Sequence, residues 1–278
     1  MADGNSPNRL FLKKVLYRVD FQFITERMHE EVYSFIAEQY GQFFSEQSEE
    51  LANEIDVEIN AAYIEQPKVN RKSQPVFIFS HPKSDECDGR TLKLGRTFFY
   101  LELELTTSTM GIPYYDWIAN IISFLSSYSI FRLTRVGLRK FNNFFILDAS
   151  KHRLNDIFSI DYITGAPCED FNLDQFSNRQ IYVSDQYTLC FSRNYSSGQL
   201  SNDYLGISNE LAHLVAFDFD LFTTADDNLA ALKTNASDAL LKMNSTILAF
   251  FNSIIREEII AKLDTGEQLH EYEIIPGN

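Results

Sequence analysis

Apolar and polar positions alternate with a period of two over residues 15–23. There Val15, Tyr17, Val19, Phe21 and Phe23 interleave with Leu16, Arg18, Asp20 and Gln22, which predicts a first β-strand. Thr25 then stands where a helix N-cap belongs, with Glu26 in the first turn facing the positive helix end. Met28, Val32, Phe35, Ile36, Tyr40 and Phe43 recur every three or four residues, an amphipathic helix whose last turn Gly41 weakens. Strict alternation returns over residues 54–60, with Ile55, Val57 and Ile59 against Glu54, Asp56 and Glu58. Residues 75–80 read as a short strand and 81–90 as a loop with Asp85, Asp88 and Gly89 as turn chemistry. Residues 91–107 read as one long β segment, ending in Leu101, Leu103 and Leu105 against Glu102 and Glu104.

Gly111 and Pro113 open a second helix, about residues 114–128, with Trp117, Ile121, Phe124, Leu125 and Tyr128 on its buried side. A third β segment spans 131–147, and 148–177 reads as a long polar loop carrying Gly165 and Pro167. Residues 180–193 form a hairpin turning near Ser184, Asp185 and Gln186, and 213–223 form the last strand. Asp226 and Asp227 start a helical pattern to about Leu263, striped by Leu229, Leu232, Ala236, Leu240, Met243, Ile247, Phe250 and Ile254. The length of this pattern predicts a break near residues 233–236, and the stripe reads as core packing. The tail from Gly266 is expected to be exposed or to end in a short strand.

Few helices and many alternating strands predict an α+β fold, mainly antiparallel sheet with three principal helices packed on one face. One domain over 1–278 is expected. The order of elements recurs in the two halves, about 1–130 and 131–278, which predicts a pseudo-duplication, although no repeat is detectable residue by residue.

Composition narrows the functional classes. Against 24 Lys+Arg stand 39 Asp+Glu, a formal net charge of −15, so nucleic acid and anionic lipid meet long-range repulsion. Residues 1–8 lack the apolar core of a signal peptide, and no apolar run is long enough to span a bilayer, so no membrane is expected. Cys87, Cys168 and Cys190 are odd in number and widely spaced, as for reduced thiols; the protein is expected in the cytoplasm. The chain carries no G-x-G-x-x-G, no phosphate loop, no H-E-x-x-H, no C-x-x-C and no G-x-S-x-G. Those chemistries need ligand spacings or backbone geometries absent here, so no cofactor, metal or catalytic residue is assigned.

The polar sides of the strands carry the candidate chemistry. Arg18 and Asp20, Glu54, Asp56 and Glu58, Glu102 and Glu104, and Asp218 and Asp220 all lie opposite apolar stripes. Asp218-Phe219-Asp220 places two carboxylates on one strand face, which suits either a divalent ion or pairing with arginines and water. Arg135, Gly137 and Arg139 share a face in the densest basic segment, where arginines could serve as bidentate anion donors or as partners of cross-strand carboxylates. Arg18, Arg135, Arg139, Lys140 and Asn142 are the candidate anion-binding residues; Glu102, Glu104, Asp218 and Asp220 are the polar-face carboxylates. Gly137 either relieves strand curvature or admits a second backbone.

The segment Arg135-Val136-Gly137-Leu138-Arg139-Lys140-Phe141-Asn142 resembles the core R-[LV]-G-L-R-x-x-N of a sporadically distributed, functionally uncharacterised prokaryotic family. The opening strand and helix are similar too, as is Phe217-Asp218-Phe219-Asp220-Leu221-Phe222-Thr223-Thr224 leading into a long helix. The resemblance implies an intracellular α+β protein with no established activity, in genes that move horizontally, such as defence or toxin–antitoxin modules. The family often carries a histidine near the start of that helix; Asn235 or Asp238 stands there in this chain, which speaks against catalysis at that place.

These readings converge on a non-catalytic binding or regulatory protein, immunity- or antitoxin-like, whose acidic surface meets another protein with a basic surface. The alternative is a small-anion or nucleotide binder, or a hydrolase, built around Arg135 and Arg139. Acidity is uneven: Arg9, Lys13, Lys14, Arg18 and Arg27 face twelve acids in the first sixty residues, whereas 132–153 hold six bases against Asp148.

Overall fold

In β1 (Leu12–Phe21), Val15, Val19 and Phe21 are buried on one side while Lys14, Arg18 and Asp20 turn to the other, as the alternation requires. This computed structural model describes residues 12–58, 68–84, 87–105, 114–147, 151–164, 174–202, 207–265 and 274–276. The N-terminal residues 1–8, Gly111, Pro113, Gly165, Pro167 and Cys168 lie outside the described residues.

Thr25 caps α1 (Glu26–Tyr40) by accepting a hydrogen bond from the Met28 amide at 3.2 Å, and a short 3-10 turn (Gly41–Phe43) ends it. Four strands follow: β2 (Glu46–Glu58), β3 (Lys68–His81), β4 (Gly89–Leu94) and β5 (Phe98–Glu104). The segment expected as one strand over 91–107 is thus a hairpin. Gly95 makes its turn, donating to the Phe98 carbonyl at 2.8 Å, and an added Cβ there would stand 2.7 Å from the Phe98 ring. Helix α2 (Tyr114–Ser126) closes the first half.

The second half runs β6 (Leu133–Leu147), α3 (Lys151–Ile157), β7 (Gln175–Val183), β8 (Thr188–Asn202) and β9 (Ile207–Thr223). Two elements differ from expectation. The 148–177 loop contains α3, and the residues after it drive Phe158 and Tyr162 into the core against Phe217. The long helical pattern is three helices, α4 (Asp226–Thr234), α5 (Ala236–Ile254) and α6 (Glu257–Thr265). The first break falls at Asn235, whose side chain caps α5 by accepting from the Asp238 amide, inside the window that helix length predicts. A short β10 (Ile274–Pro276) pairs with β6 beyond the end of β1.

The main path of the sheet is antiparallel, in the order β2-β3-β4-β5-β1-β6-β9-β8-β7. In each half the first strand pairs with the last strand of the following meander, β1 with β5 and β6 with β9, and the halves join through β1 and β6. The helices cover one face, where Leu101, Leu138, Phe219 and Leu221 meet Trp117, Leu240, Met243 and Phe251 in one core. This is the α+β architecture the patterning predicts, with helices on one side. Among the described residues no helix is long and apolar enough to cross a membrane. Cys87 and Cys190 are free thiols.

Candidate functional site

The face of the sheet turned away from the described helices collects the candidate polar residues, because strand pairing aligns their side. Register places Arg18 opposite Gly137, Asp20 opposite Arg135, and Arg139 opposite Asp220. The ion pairs run partly on the diagonal. Arg139 Nε and Nη2 donate to the two oxygens of Asp218 at 2.8 and 2.5 Å, a bidentate clamp. Arg135 bridges two strands, reaching Asp20 at 3.4 Å and Asp220 at 3.5 Å. Arg18 Nε donates to the other oxygen of Asp20 at 2.8 Å, and Lys14 sits 2.8 Å from Glu102 and 3.3 Å from Glu104.

Aromatic rings fill the space between these charges. Arg18 lies over Phe98, Arg135 over Phe222 at 4.4 Å and Arg139 over Phe141 at 4.5 Å. Gly137 lies beside the Arg135 side chain, and a Cβ added there would make ordinary contacts with Phe222 Cβ at 3.4 Å and the Arg135 guanidinium at 3.5 Å. Burial pushes the Asp220 carboxyl above its ordinary value; Arg135 and Arg139 oppose that rise, and Asp218 adds to it. The hydrogen bond to Asp218 holds the Arg139 guanidinium more firmly protonated than usual.

Two of the candidates do not belong to this face. Lys140 and Asn142 fall on the helix side, one position out of phase with Arg139 and Phe141. The Lys140 ammonium donates to Asn244 of α5 at 2.5 Å, and Asn142 is buried. Lys140 thus ties the sheet to α5, and both residues lie on the opposite face from Arg135 and Arg139. Conversely, Lys93, Arg179 and the Glu46 and Glu50 side chains share the open face, and β2 begins eight residues before the clean alternation at residue 54. The charges of the ion-paired network, Lys14, Arg18, Arg135 and Arg139 against Asp20, Glu102, Glu104, Asp218 and Asp220, nearly cancel.

The basic strand is therefore a neutralised network, with its guanidinia occupied by the protein's own carboxylates. Asp218 and Asp220 point the same way, as the pattern required, but both are held by arginines, and among the described residues no cluster of His, Cys, Asp and Glu could hold a metal ion.

The excess negative charge lies elsewhere. Edge strand β2 carries Glu46, Glu49, Glu50, Glu54, Asp56 and Glu58 and no Lys or Arg, while its neighbour β3 sets Lys72 across from Glu54 and Lys68 across from Glu58. Of these, Glu46 and Glu49 are exposed, and Glu50 has a 3.6 Å contact to Lys93 while remaining 64% exposed. Helix α1 lies beside this edge: Tyr33 donates to Gln47 at 3.2 Å, and His29 stacks on Phe77. Burial lowers the His29 value, and Glu49 of β2 and Glu30 of α1, both exposed, work against that fall. A shallow cleft of about 240 Å³ opens at the other end of the sheet, lined by Tyr187, Asn228, Asn235, Asp238 and Lys242 at the α4–α5 elbow. No family model, curated protein or solved structure matches this chain.

Proposed function

We propose that the protein is a non-catalytic binding protein that meets a basic protein partner through the acidic rim formed by β2 and α1. The observation that carries this reading is the opening of edge strand β2, where Glu46, Glu49 and Glu50 are all exposed with no cation among them. It stands beside α1, whose Glu30 is also exposed. Such a rim attracts a basic surface from a distance and speeds encounter more than it tightens the complex. A role as an immunity-like or antitoxin-like component, as the arginine–glycine resemblance implies, belongs to the same proposal, as does a cytoplasmic location.

The alternative of a small-anion or nucleotide site, or a hydrolase, needs Arg135 and Arg139 as free donors. Both guanidinia are engaged by Asp20, Asp218 and Asp220, and an incoming anion would have to displace these internal partners. The exposed Glu30, Glu46 and Glu49 ask for no such exchange.

Co-expression with the products of the neighbouring genes tests the reading. A partner with a basic surface is expected to co-elute at low salt and dissociate as salt rises, because exposed charges are screened within about 8 Å at physiological ionic strength. Absence of any such partner, or a complex indifferent to both salt and the substitutions Glu30→Lys, Glu46→Lys and Glu49→Lys, would contradict it.

A further inference from the structure

Helix α4 stops at Thr234 and α5 starts at Ala236, so the chain turns on one residue, Asn235, whose backbone (φ −149°, ψ 75°) belongs to neither helix. The elbow opens the cleft of about 240 Å³, with the buried Thr223, Leu232 and Met243 among its lining. Tyr187, from the turn that joins β7 to β8, lines it too. Asn228 of α4 ties these parts together. Its side-chain nitrogen donates to the Gln186 carbonyl at 2.7 Å and to the Thr223 hydroxyl at 3.1 Å, so the cleft is held open by the fold itself.

The charged residues lining the cleft are one of each sign, Asp238 and Lys242, a turn apart on α5. An Asp and a Lys at this spacing are neighbours on a helix and ordinarily attract each other. Here they form no ion pair. Among the described residues Asp238 bonds with Asn235, whose side chain donates to it at 2.5 Å, and Lys242 donates to the Gln186 side chain at 3.2 Å. Two more polar atoms are unused: among the described residues the Asn228 side-chain oxygen and the Tyr187 hydroxyl have no hydrogen-bond partner. Burial raises the Tyr187 phenol above its ordinary value, which keeps its proton available for donation.

We infer that this cleft binds a small apolar amino acid as its zwitterion. The ligand's ammonium meets Asp238 and the Asn228 oxygen, its carboxylate meets Lys242 and the Tyr187 hydroxyl, and its side chain rests on Leu232 and Met243. The pair of opposite charges selects this class. A purely anionic ligand would gain Lys242 and face Asp238, and a purely cationic one would meet the reverse. A neutral apolar molecule would strip water from both charges without replacing it. A zwitterion satisfies both at once with charge-assisted hydrogen bonds. The volume lies below the roughly 300 Å³ at which pockets for drug-sized ligands begin, which suits a single amino acid and not a peptide. The residues involved come from the β7–β8 turn, the end of β9, α4 and α5, away from the β2 edge in the strand order.

A nuclear magnetic resonance titration of the isotope-labelled full chain with free L-leucine tests the inference. Saturable shifts in the millimolar range are expected at the amides of Tyr187, Asn228, Asp238 and Lys242. Isoamylamine, which is leucine without its carboxylate, and isocaproate, which is leucine without its ammonium, are each expected to bind at least about tenfold more weakly. Asp238→Asn and Lys242→Met, with unchanged circular dichroism spectra, are expected to weaken leucine binding at least about tenfold. If either variant misfolds, the comparison of the three probes on the parent decides the matter. No saturable binding of leucine, an amine or acid that binds as tightly as leucine, or folded variants that bind leucine like the parent would overturn the inference. The rim variant Glu30→Lys, Glu46→Lys, Glu49→Lys is expected to bind leucine like the parent, so the proposed function and the amino-acid site fail separately.

Discussion

Arg139 clamps Asp218 through two guanidinium hydrogen bonds although the residue directly across the strand from it is Asp220. The diagonal choice leaves Asp220 to Arg135, which also reaches Asp20 in β1, so one basic strand ties together the carboxylates of both neighbouring strands. The side chains of the clamp are 39% and 18% exposed, between a surface pair and a buried one. A double-mutant cycle with Arg139→Met and Asp218→Asn should give a coupling of about 1 kcal/mol in urea unfolding, at the upper end of exposed pairs. Arg139→Met alone should cost more than the double variant, because it strands the less exposed carboxylate.

Asp220 should titrate above the ordinary aspartate range, because burial outweighs its arginines. Carboxyl-detected NMR of the parent and of Arg135→Met should show the value moving further up when that arginine is removed. A carboxyl whose folded value is raised holds its proton longer in the folded state, so its contribution to stability falls as pH rises from its unfolded value of 3.8 through the folded one. The stability gap between Asp220→Asn and the parent should therefore shift in favour of the asparagine variant as pH rises across that window.

Lys13, at the irregularity between β1 and β6, is pushed down to about 8 by burial and by Lys83. Between that value and its ordinary 10.5 the unfolded chain binds more protons, so this group raises stability as pH increases through the window. Lys13→Met should be more stable than the parent at neutral pH, and its advantage should shrink towards pH 10.5. Thermal unfolding at a series of alkaline pH values checks both the sign and the window.

The glycines separate by what surrounds them. At Gly137 an added Cβ makes ordinary contacts of 3.4 to 3.6 Å, so Gly137→Ala should be neutral or stabilise by about 0.4–1 kcal/mol through the unfolded chain. At Gly89 the nearest atoms are Lys83 Cβ, backbone N and Cα at 2.9, 3.0 and 3.2 Å, so Gly89→Ala must move backbone and should cost about 1–3 kcal/mol. Chemical denaturation of the two alanine variants side by side decides between these outcomes.

Alternation told which side of a strand a residue occupies, and this sufficed for Arg135, Gly137 and Arg139, for Asp218 and Asp220, and for Glu102 and Glu104. It could not tell which strands are neighbours, because the junction of β1 with β6 rests on pairing between residues more than a hundred positions apart. The pattern also blurred where polar residues occupy core-side positions. Lys140 and Asn142 look like part of the basic cluster in sequence, yet one step along the strand turns them to the helices. Gly95 was missed as a turn because the strands on either side, Gly89–Leu94 and Phe98–Glu104, leave so short a gap between them. At β2 the run Glu46-Gln47-Ser48-Glu49-Glu50 has no apolar alternation to betray a strand, so the most acidic edge was only half visible.

The central claim is a division of charge, with the sheet-face arginines spent on internal partners and the β2–α1 rim left to attract a basic protein. The association rate of the co-expressed partner with two variants measures that division directly. With Glu30→Lys, Glu46→Lys and Glu49→Lys the rate should fall at least about tenfold at low salt and lose most of its salt dependence, whereas Arg135→Met with Arg139→Met should leave it unchanged. An association rate untouched by the rim substitutions but lost with the two arginines would contradict the account.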